Sequence, residues 1–169
     1  IRVEKSRMIE SAKMTCSFLG LTSDDSALLC MPLRYIAGKM VVVRTIVSGM
    51  RLISIPPTSH PLKDLEDIPT FAAMVPMQVF NSLSVPEEAD KLKRIKNLII
   101  GGGPVNDLLY SKLQHFPNAV WSTYGMTETL SHIALRRLNG ASASEHYYPF
   151  PSVKLSLSAE NTLIIDAPL

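Results

Sequence analysis

A short apolar strand that runs directly into three glycines is the feature that most constrains this fold. The run Leu98–Ile100 is followed by Gly101, Gly102, Gly103 and Pro104. An apolar run of this length, ended by glycine, predicts a strand buried on both faces, as in a parallel sheet. Because parallel strands need crossover connections, the rest of the chain is expected to alternate strands with helices.

The remaining sequence does alternate between segments with helical spacing of apolar residues and short runs typical of strands. Glycines, prolines and polar clusters separate these segments. We therefore expect an α/β fold with a mostly parallel sheet, flanking helices and a C-terminal β-hairpin. In chain order, the predicted elements are a helix ending at Gly20, strand 27–31, helix 38–48, strand 51–55, a short helix 62–67, strand 70–75, helices beginning at Pro76 and Pro86, strand 98–100, helix 105–114 capped by Asn106, strands 118–124 and 132–136, and a hairpin over 153–165.

Length and composition suit one domain with a buried core, since 46% of the 169 residues are hydrophobic. We expect an α/β part over 1–138, a loop over 139–148 and the start of a β part over 149–169. The net charge is only +2, and the Lys and Arg residues are scattered apart from a cluster over 91–96. That cluster is interpreted as a solvated helix end, so no nucleic-acid partner is expected.

The compartment is predicted from the apolar runs and the cysteines. The apolar run Met40–Val43 is interrupted by Arg44 and is far too short for a transmembrane helix. Cys16 and Cys30 lie in apolar contexts, which favours buried free thiols in a reducing compartment. No Cys/His spacing matches a zinc site. A cytoplasmic protein without a membrane span is expected.

A second motif, Trp121–Thr129, places an aromatic ring, a glycine, hydroxyls and a carboxylate within one short stretch. It overlaps a predicted strand that Gly125 ends. Tyr124 is suited to stack on a purine, an interaction worth about 1–3 kcal/mol for base–aromatic contacts. The Thr127 hydroxyl can donate to a phosphate oxygen, and the Glu128 carboxylate suits a hard cation such as Mg²⁺.

Both motifs also have ordinary structural explanations. Three glycines after a strand often form only a tight turn, and a Thr-Glu pair often begins a helix. Glycines equally allow a flat ring to approach the backbone, and open α/β sheets bind ligands at the carboxyl ends of parallel strands. Neither motif alone distinguishes a nucleotide site from a turn.

A single arginine, Arg44, interrupts the apolar face of the helix predicted over 38–48. Such an arginine usually extends to solvent or forms an ion pair. Its planar guanidinium could instead pair bidentately with a ligand carboxylate. The residues alone favour the structural explanation.

Taken in order, these motifs resemble those of the adenylate-forming superfamily, which includes acyl- and aryl-CoA ligases, luciferases and peptide-synthetase adenylation domains. The resemblance extends over nearly the whole chain. Tyr35 and Ser152 depart from it, since they replace a usual His and a usual Gly. The matching segments are Leu28–Gly38, Val75–Pro76, Gly102–Pro104, Pro149–Val153 and, most specifically, Tyr124–Glu128, which fits Tyr-Gly-x-Thr-Glu without a mismatch.

The resemblance implies a site for ATP and Mg²⁺ beside a pocket for the acid. Thr127, on the α-phosphate, and Glu128, on Mg²⁺, would be the catalytic residues. The residues implied to bind the nucleotide are Gly102, Gly103, Pro104, Thr123, Tyr124, Gly125, Met126 and Thr127. The residues implied to shape the acyl pocket are Arg44, Tyr35, Ala37, Gly38, Lys39 and Gly101.

Within the superfamily, the likeness is greatest with the o-succinylbenzoate–CoA ligases of menaquinone synthesis. Their helix after the Pro-Leu motif carries an Arg that meets the aryl carboxylate of the substrate. Arg44 falls on that position, which reverses the structural interpretation of this residue, although Ala37 stands where those ligases often have Ser. The implied reaction is ATP-dependent adenylation of a carboxylic acid, followed by thioester formation with CoA.

The family's phosphate loop is expected before Ile1, and its ribose-binding Asp and mobile domain with the catalytic Lys beyond Leu169. The chain alone is therefore expected to be inactive. Two alternatives stay open: a ligase or adenylating enzyme for benzoate, a fatty acid or an amino acid, and a non-catalytic ligand-binding module. A dinucleotide-binding dehydrogenase is disfavoured, because Gly101–Gly103 lack the G-x-G-x-x-G spacing.

Overall fold

The computed structural model describes residues 2–167 and contains one seven-stranded sheet and one two-stranded sheet. The helices are α1 (Lys5–Leu19), α2 (Ile36–Ser48), α3 (Pro76–Leu83), α4 (Pro86–Arg94) and α5 (Asp107–Leu113). The strands are β1 (Ser26–Leu29), β2 (Arg51–Ser54), β3 (Phe71–Met74), β4 (Asn97–Ile100), β5 (Ala119–Gly125), β6 (His132–Arg137), β7 (Tyr148–Pro149), β8 (Lys154–Leu157) and β9 (Leu163–Asp166).

The large sheet has the strand order β2-β1-β3-β4-β5-β6-β7. Strands β2, β1, β3, β4 and β5 are parallel neighbours, whereas β6 and β7 add antiparallel pairs at one edge. The carboxyl ends of β3, β4 and β5 therefore meet at one edge of the sheet, where open α/β sheets bind ligands. The α/β class, the mostly parallel sheet and the flanking helices are confirmed.

The core consists of the apolar strands of this sheet together with the helices packed on it. All four residues of β1, β3 and β4 are buried, as expected for parallel strands covered on both faces. Helix α1 contributes Cys16 and Leu19 to the same apolar cluster. A smaller cluster joins α1 to α2 and to the β5–β6 connection through Ala12, Met40 and Leu130.

Local signals in the sequence located most helix ends correctly. Gly20 adopts a left-handed conformation with φ of 63° and ends α1, as predicted. The Asn106 side chain accepts a hydrogen bond from the Leu109 amide and caps α5. Strands β8 and β9 form the predicted antiparallel hairpin.

The predicted short helix over 62–67 is wrong, since that segment contains a turn over 62–64 followed by irregular chain. Leu62 and Leu65 are buried in the core, so their spacing reflects packing rather than a helical face. The Lys91 ammonium donates to the carbonyls of Leu62 and Lys63, both at 2.9 Å. A side chain from α4 therefore satisfies acceptors that a helix would have satisfied internally.

Both cysteines are buried and unbridged, as predicted. Burial raises the pKa of the Cys30 thiol to about 12, so this thiol is not activated. No helix within residues 2–167 combines the length and the apolar character needed to cross a membrane.

Candidate functional site

A cavity of about 270 Å³ opens at the carboxyl ends of β3, β4 and β5. Its walls are mostly apolar, with hydroxyls, backbone groups and one guanidinium among them, as is usual for ligand pockets. The lining comes from the ends of β3, β4 and β5 with residues that follow them, from the start of β6, from Met31 and from α2. The lining residues are Met31, Ile36, Ala37, Arg44, Ala73, Met74, Val75, Ile99, Gly101, Gly102, Thr123, Gly125, Met126, Thr127, Leu130, Ser131 and His132.

Tight contacts at the strand ends explain two of the glycines, with a side chain at Gly101 and with backbone at Gly125. A Cβ on Gly101 would collide with the Thr123 hydroxyl on the neighbouring strand. A Cβ on Gly125 would collide with the Ser131 carbonyl oxygen and with His132 Cα. Glycine at both positions lets β4, β5 and the returning chain come together at the cavity.

The connection between β5 and β6 is a compact turn organised by Thr129. The Thr129 hydroxyl accepts from the Met126 amide at 2.9 Å and lies 2.8 Å from the Ser131 carbonyl oxygen. Leu130 has a φ of 62°, which is uncommon for a residue with a branched side chain. Its burial against Ala12 and Met40 holds this conformation and directs the next residue, Ser131, to the cavity.

Arg44 is the one guanidinium in the cavity wall and is 2% exposed. Its Nη2 donates to Ser131 Oγ at 2.8 Å, whereas its buried Nε has no hydrogen-bond partner in the described part of the chain. Among residues 2–167, no carboxylate pairs with it. Burial lowers the pKa of Arg44 to about 10, so the guanidinium still carries its charge at neutral pH. Neither a solvent-exposed arginine nor an ion pair is observed.

His132 lies directly behind Ser131 at the start of β6. Its Nε2 is 3.0 Å from Thr15 Oγ1 on α1, and its Nδ1 is 3.5 Å from Ser131 Oγ. Burial, together with the positive charge of Arg44, keeps the pKa of His132 well below its ordinary value. The imidazole is therefore neutral at pH 7.

Glu128 lines a second cavity of about 340 Å³, next to the first. Thr127 and Leu130 line both cavities and so lie where the two meet. The described residues contain no cluster of three His, Cys, Asp or Glu side chains that would form an all-protein metal site. The second cavity is lined by two exposed carboxylates, Glu4, which pairs with Arg7 at 3.9 Å, and Glu128. This fits Mg²⁺, which keeps several waters and binds proteins through one or two carboxylates plus substrate phosphates.

Tyr124 is 36% exposed at the end of β5 and lies beside Tyr147, with ring centroids 5.7 Å apart. The Tyr147 hydroxyl in turn hydrogen-bonds to Ser122 Oγ at 2.7 Å. Tyr124 does not line the main cavity, and neither do the exposed Gly103 and Pro104. These three residues form the outer rim of the strand ends, where a stacked ring would remain partly open to solvent.

The structure brings most of the predicted residues together. Ala37, Arg44, Gly101, Gly102, Thr123, Gly125, Met126 and Thr127 all line the main cavity. Tyr35, Gly38 and Lys39 do not line it. Tyr35 is 55% exposed beside Arg34, and Gly38 packs its Cα against the backbone of Pro32, so both shape the entry to α2. Ligand contacts by any of these residues stay predictions.

Sequence reasoning missed Thr129, Leu130, Ser131 and His132. Only Thr129 had a local signal, since a hydroxyl three residues after Met126 can close a turn by bonding its amide. Ser131 and His132 gain their importance from Arg44 and Thr15, which are 87 and 117 residues away. No short-range pattern reports such a partnership.

Comparison with known proteins places this geometry in a family. Residues 5–168 match the family described as AMP-binding enzyme. A 2-succinylbenzoate–CoA ligase from Enterococcus faecalis is 30% identical over 136 residues, which are 79% of this chain and 28% of the relative. A similar ligase from Bacillus mycoides is 29% identical over 68% of this chain and 24% of its own length.

Two solved structures share the fold. An acyl-CoA synthetase (AMP-forming)/AMP-acid ligase II-like protein from Dyadobacter fermentans superposes with a TM-score of 0.95 at 36% identity, covering 99% of this chain and 48% of that protein. The o-succinylbenzoate coenzyme A synthetase MenE from Bacillus subtilis, in complex with ATP and magnesium ion, superposes with a TM-score of 0.76 at 21% identity. That match covers 97% of this chain and 37% of MenE, and it supports the fold alone.

The chain thus spans about a quarter of the length of these curated relatives and at most about half of either solved structure. The family match nevertheless includes every element described above, from α1 to β9. It also confirms the resemblance stated from the motifs. The chain belongs to the AMP-binding enzyme family.

Proposed function

We propose that this chain provides the nucleotide and acid sites of an AMP-forming acid–CoA ligase, and that the acid is o-succinylbenzoate. The choice of acid depends on one observation, the burial of the Arg44 guanidinium. A buried guanidinium without an acidic partner costs several kcal/mol of desolvation, which a ligand carboxylate would offset. A fatty acid offers only alkyl surface at this position and would leave the charge unpaired.

The cavity next to Arg44 suits an acid with a ring and a second carboxylate. Met31, Ile99 and Leu130 supply apolar walls, while the guanidinium fixes one end. Arginine pairs with carboxylates bidentately, which orients the ligand as well as binding it. The ligase from Enterococcus faecalis, whose name specifies 2-succinylbenzoate, supports the same choice.

In the proposed reaction, the acid's carboxylate attacks the α-phosphorus of ATP and forms an acyl-adenylate with release of pyrophosphate. The CoA thiol then attacks the acyl carbon, and AMP leaves. Tyr124 and the backbone of Gly102 and Gly103 would hold the adenine at the rim. The Thr127 hydroxyl would donate to the α-phosphate, because it lies between the two cavities.

Glu128 would hold Mg²⁺, a role that its exposed carboxylate on the second cavity supports. When bound, the ion would neutralise charge that develops on the phosphates during adenylation. Arg44 and the cavity walls would orient the acid toward the α-phosphate.

The test compares non-hydrolysable adenylate analogues that carry o-succinylbenzoyl, benzoyl or long-chain acyl groups. Thermal unfolding of the protein is followed with every analogue at the same concentration, so the analogue that binds more tightly gives the larger shift. An analogue at about a hundredfold excess over its Kd stabilises by about 2.7 kcal/mol. We expect the o-succinylbenzoyl analogue to bind most tightly and Arg44→Ala to remove its advantage over the benzoyl analogue. A larger shift with the long-chain analogue would contradict the choice of acid.

Activity is then tested in the natural polypeptide that contains this chain, by ATP–pyrophosphate exchange and by CoA thioester formation. Exchange and thioester formation with o-succinylbenzoate are expected. Binding of the analogue without either reaction would instead support the alternative of a non-catalytic binding module.

A further inference from the structure

A chain of hydrogen bonds runs from α1 to the cavity and ends on Arg44. Thr15 Oγ1 lies 3.0 Å from His132 Nε2, and His132 Nδ1 faces Ser131 Oγ at 3.5 Å. Ser131 Oγ is in turn 2.8 Å from Arg44 Nη2. Thr15 is fully buried and His132 is 7% exposed, so water does not compete for these bonds.

The bond from the Thr15 hydroxyl to the Ser11 carbonyl sets one direction for this chain; without that bond, the reverse tautomer of His132 would satisfy the same groups. Thr15 donates its hydroxyl proton to the Ser11 carbonyl at 3.2 Å, which leaves its oxygen to accept from His132 Nε2–H. His132 Nδ1 is then the unprotonated nitrogen of a neutral imidazole. Arg44 can only donate, so Ser131 Oγ accepts from it and aims its own proton at Nδ1.

The surroundings of His132 favour this neutral form. Helix α2 contributes the positive charge of Arg44, and α1 contributes Thr15 together with the buried Cys16 thiol near Arg44. The Phe150 ring packs against the imidazole with centroids 5.6 Å apart. No carboxylate that would stabilise an imidazolium pairs with His132 within residues 2–167.

We propose that Thr15 and His132 are positioning residues that hold Ser131 as an acceptor for Arg44 and thereby aim the guanidinium at a substrate carboxylate. This inference rests on the proposed function, since it concerns how the same acid site discriminates. Ser131 fixes Nη2, and Arg44 lines the cavity, so the guanidinium donors that face the cavity are left for the ligand. Fixing a long side chain before binding removes an entropic cost from the binding step.

This chain of hydrogen bonds through Thr15, His132 and Ser131 to Arg44, the relay, therefore sets selectivity for an acid with a second carboxylate. It does not set affinity for acyl groups in general. The predicted readout is the ratio of Kd values for two adenylate analogues, benzoyl over o-succinylbenzoyl. Calorimetry on the natural polypeptide that contains this chain measures both values. A change confined to folding or to the nucleotide site would alter both Kd values together and leave their ratio unchanged.

The variant pair Thr15→Val and Thr15→Ser tests the far end of the relay. Thr15→Val removes the acceptor for Nε2–H and should lower the Kd ratio by about fivefold to tenfold, the effect of one hydrogen bond. Thr15→Ser keeps the hydroxyl and should keep the ratio. Thr45→Val is the matched control, because the Thr45 hydroxyl makes the same bond to the carbonyl four residues earlier, that of Val41, in a buried helix position.

The protonation of the two ring nitrogens of His132 can be measured first in the unmodified protein. A long-range ¹H–¹⁵N spectrum of the histidine-labelled protein should show the Nε2–H tautomer of His132 at pH 7. His132→Leu should then lower the Kd ratio as Thr15→Val does, whereas His132→Asn, which keeps an acceptor near the Nδ1 position, should restore part of it.

The outcomes separate this inference from the proposed function. If Arg44→Met leaves the Kd ratio unchanged, the proposed acid site is wrong. If Arg44→Met collapses the ratio but Thr15→Val and His132→Leu do not, the relay is overturned while the acid site stands. An Nδ1–H tautomer or an imidazolium at pH 7 would also overturn the relay, even if no variant folds.

Discussion

At the scale of single residues, Arg44 indicates a ligand site because the desolvation free energy of its buried guanidinium is not offset by a carboxylate within residues 2–167. Its guanidinium is buried and charged at neutral pH, and Ser131 is the one side chain within residues 2–167 that hydrogen-bonds to it. A structural arginine would be expected to reach solvent or a carboxylate, and Arg44 does neither. The energy that this arrangement costs the free protein is the reason to expect a ligand that repays it.

The first prediction follows from this cost. Arg44→Met keeps much of the side-chain volume but removes the buried charge, so it should leave the free energy of unfolding unchanged or raise it by up to about 4 kcal/mol. The same variant should lose its preference for the o-succinylbenzoyl analogue. Chemical denaturation without ligand measures the first effect, and calorimetry measures the second.

Arg51→Met is the control for the first prediction, because Arg51 pairs with Asp67 on the surface with both side chains more than half exposed. Its effect on stability should stay within about 0.5 kcal/mol. A loss of several kcal/mol in Arg44→Met would show that the charge is already well compensated in the free protein.

For Glu128 we expect a large effect on the reaction and a small effect on stability, because its carboxylate is exposed. Glu128→Ala should lower pyrophosphate exchange by about 10²–10³-fold, a typical loss for one electrostatic contact to the transition state. The unfolding free energy should change by less than about 0.5 kcal/mol. Glu160→Ala, in the turn of the β8–β9 hairpin, is the matched control and should keep full exchange. Unchanged exchange in Glu128→Ala would exclude the proposed role.

At the scale of elements, the β5–β6 connection depends on one glycine. A methyl group on Gly125 would meet the backbone at Ser131 and His132, which cannot rotate away as a side chain can. Gly125→Ala should therefore destabilise the protein by about 3 kcal/mol. In Gly103→Ala the new methyl would lie 3.7 Å from the Pro76 ring, an ordinary contact, so thermal unfolding should change little. Equal effects of the two substitutions would contradict the close approach at Gly125.

Such elements differ in how far the sequence predicts them. The buried strand Leu98–Ile100 and the cap at Asn106 could be predicted because their causes lie within a few residues. The segment 62–67 could not, because its conformation depends on Lys91 from another helix. Likewise, the cavity position of Thr127 was predictable from its motif, whereas Ser131 depends on distant Arg44.

Asn139 is another long-range anchor of this kind and gives the next prediction. Its buried amide accepts from the Val120 amide and donates to the carbonyls of Phe116 and Asn118. Asn139→Ala leaves several buried backbone groups unpaired and should cost about 2–4 kcal/mol of unfolding free energy. Asn139→Asp should not restore it, because a carboxylate cannot donate to two carbonyls.

Asn81→Ala serves as the reference for Asn139→Ala, since the Asn81 amide makes one long bond of 3.4 Å to the Ser59 carbonyl. Urea titration of both variants compares them directly. If the two variants lose equal stability, the amide network at Asn139 does not anchor the strand junction.

At the scale of the whole molecule, the proposed acid site brings together residues from separate elements. Arg44 comes from α2, Thr15 from α1 and Ser131 from the turn after β5, so no single segment holds the site. A change that displaces these three residues should therefore alter the free energy of unfolding as well as ligand binding. Ionisation of His132 is such a disturbance, because its neutral form is built into the packing of α1 on β6.

The last prediction is a pH dependence of unfolding. Burial first, and the charge of Arg44 second, hold the pKa of His132 well below 6.5 in the folded protein, whereas the unfolded chain titrates near that value. Below about pH 6.5 the unfolded state binds the proton and the folded state does not, so stability falls with a slope of up to about 1.4 kcal/mol per pH unit. The loss continues until the pH reaches the folded pKa.

Urea titrations between pH 5 and 7 measure this slope, and His132→Asn should remove it. Asp25 acts in a different range: although burial raises its pKa, bonds from Thr22 and Thr70 and the charge of Lys96 outweigh burial and leave it below 3.8. The stability that Asp25 contributes is therefore complete above that pH and is lost only as the pH falls through its lowered pKa. An Asp25→Asn variant should keep the slope above pH 5. If His132→Asn keeps the slope as well, the imidazole is not held neutral by the fold.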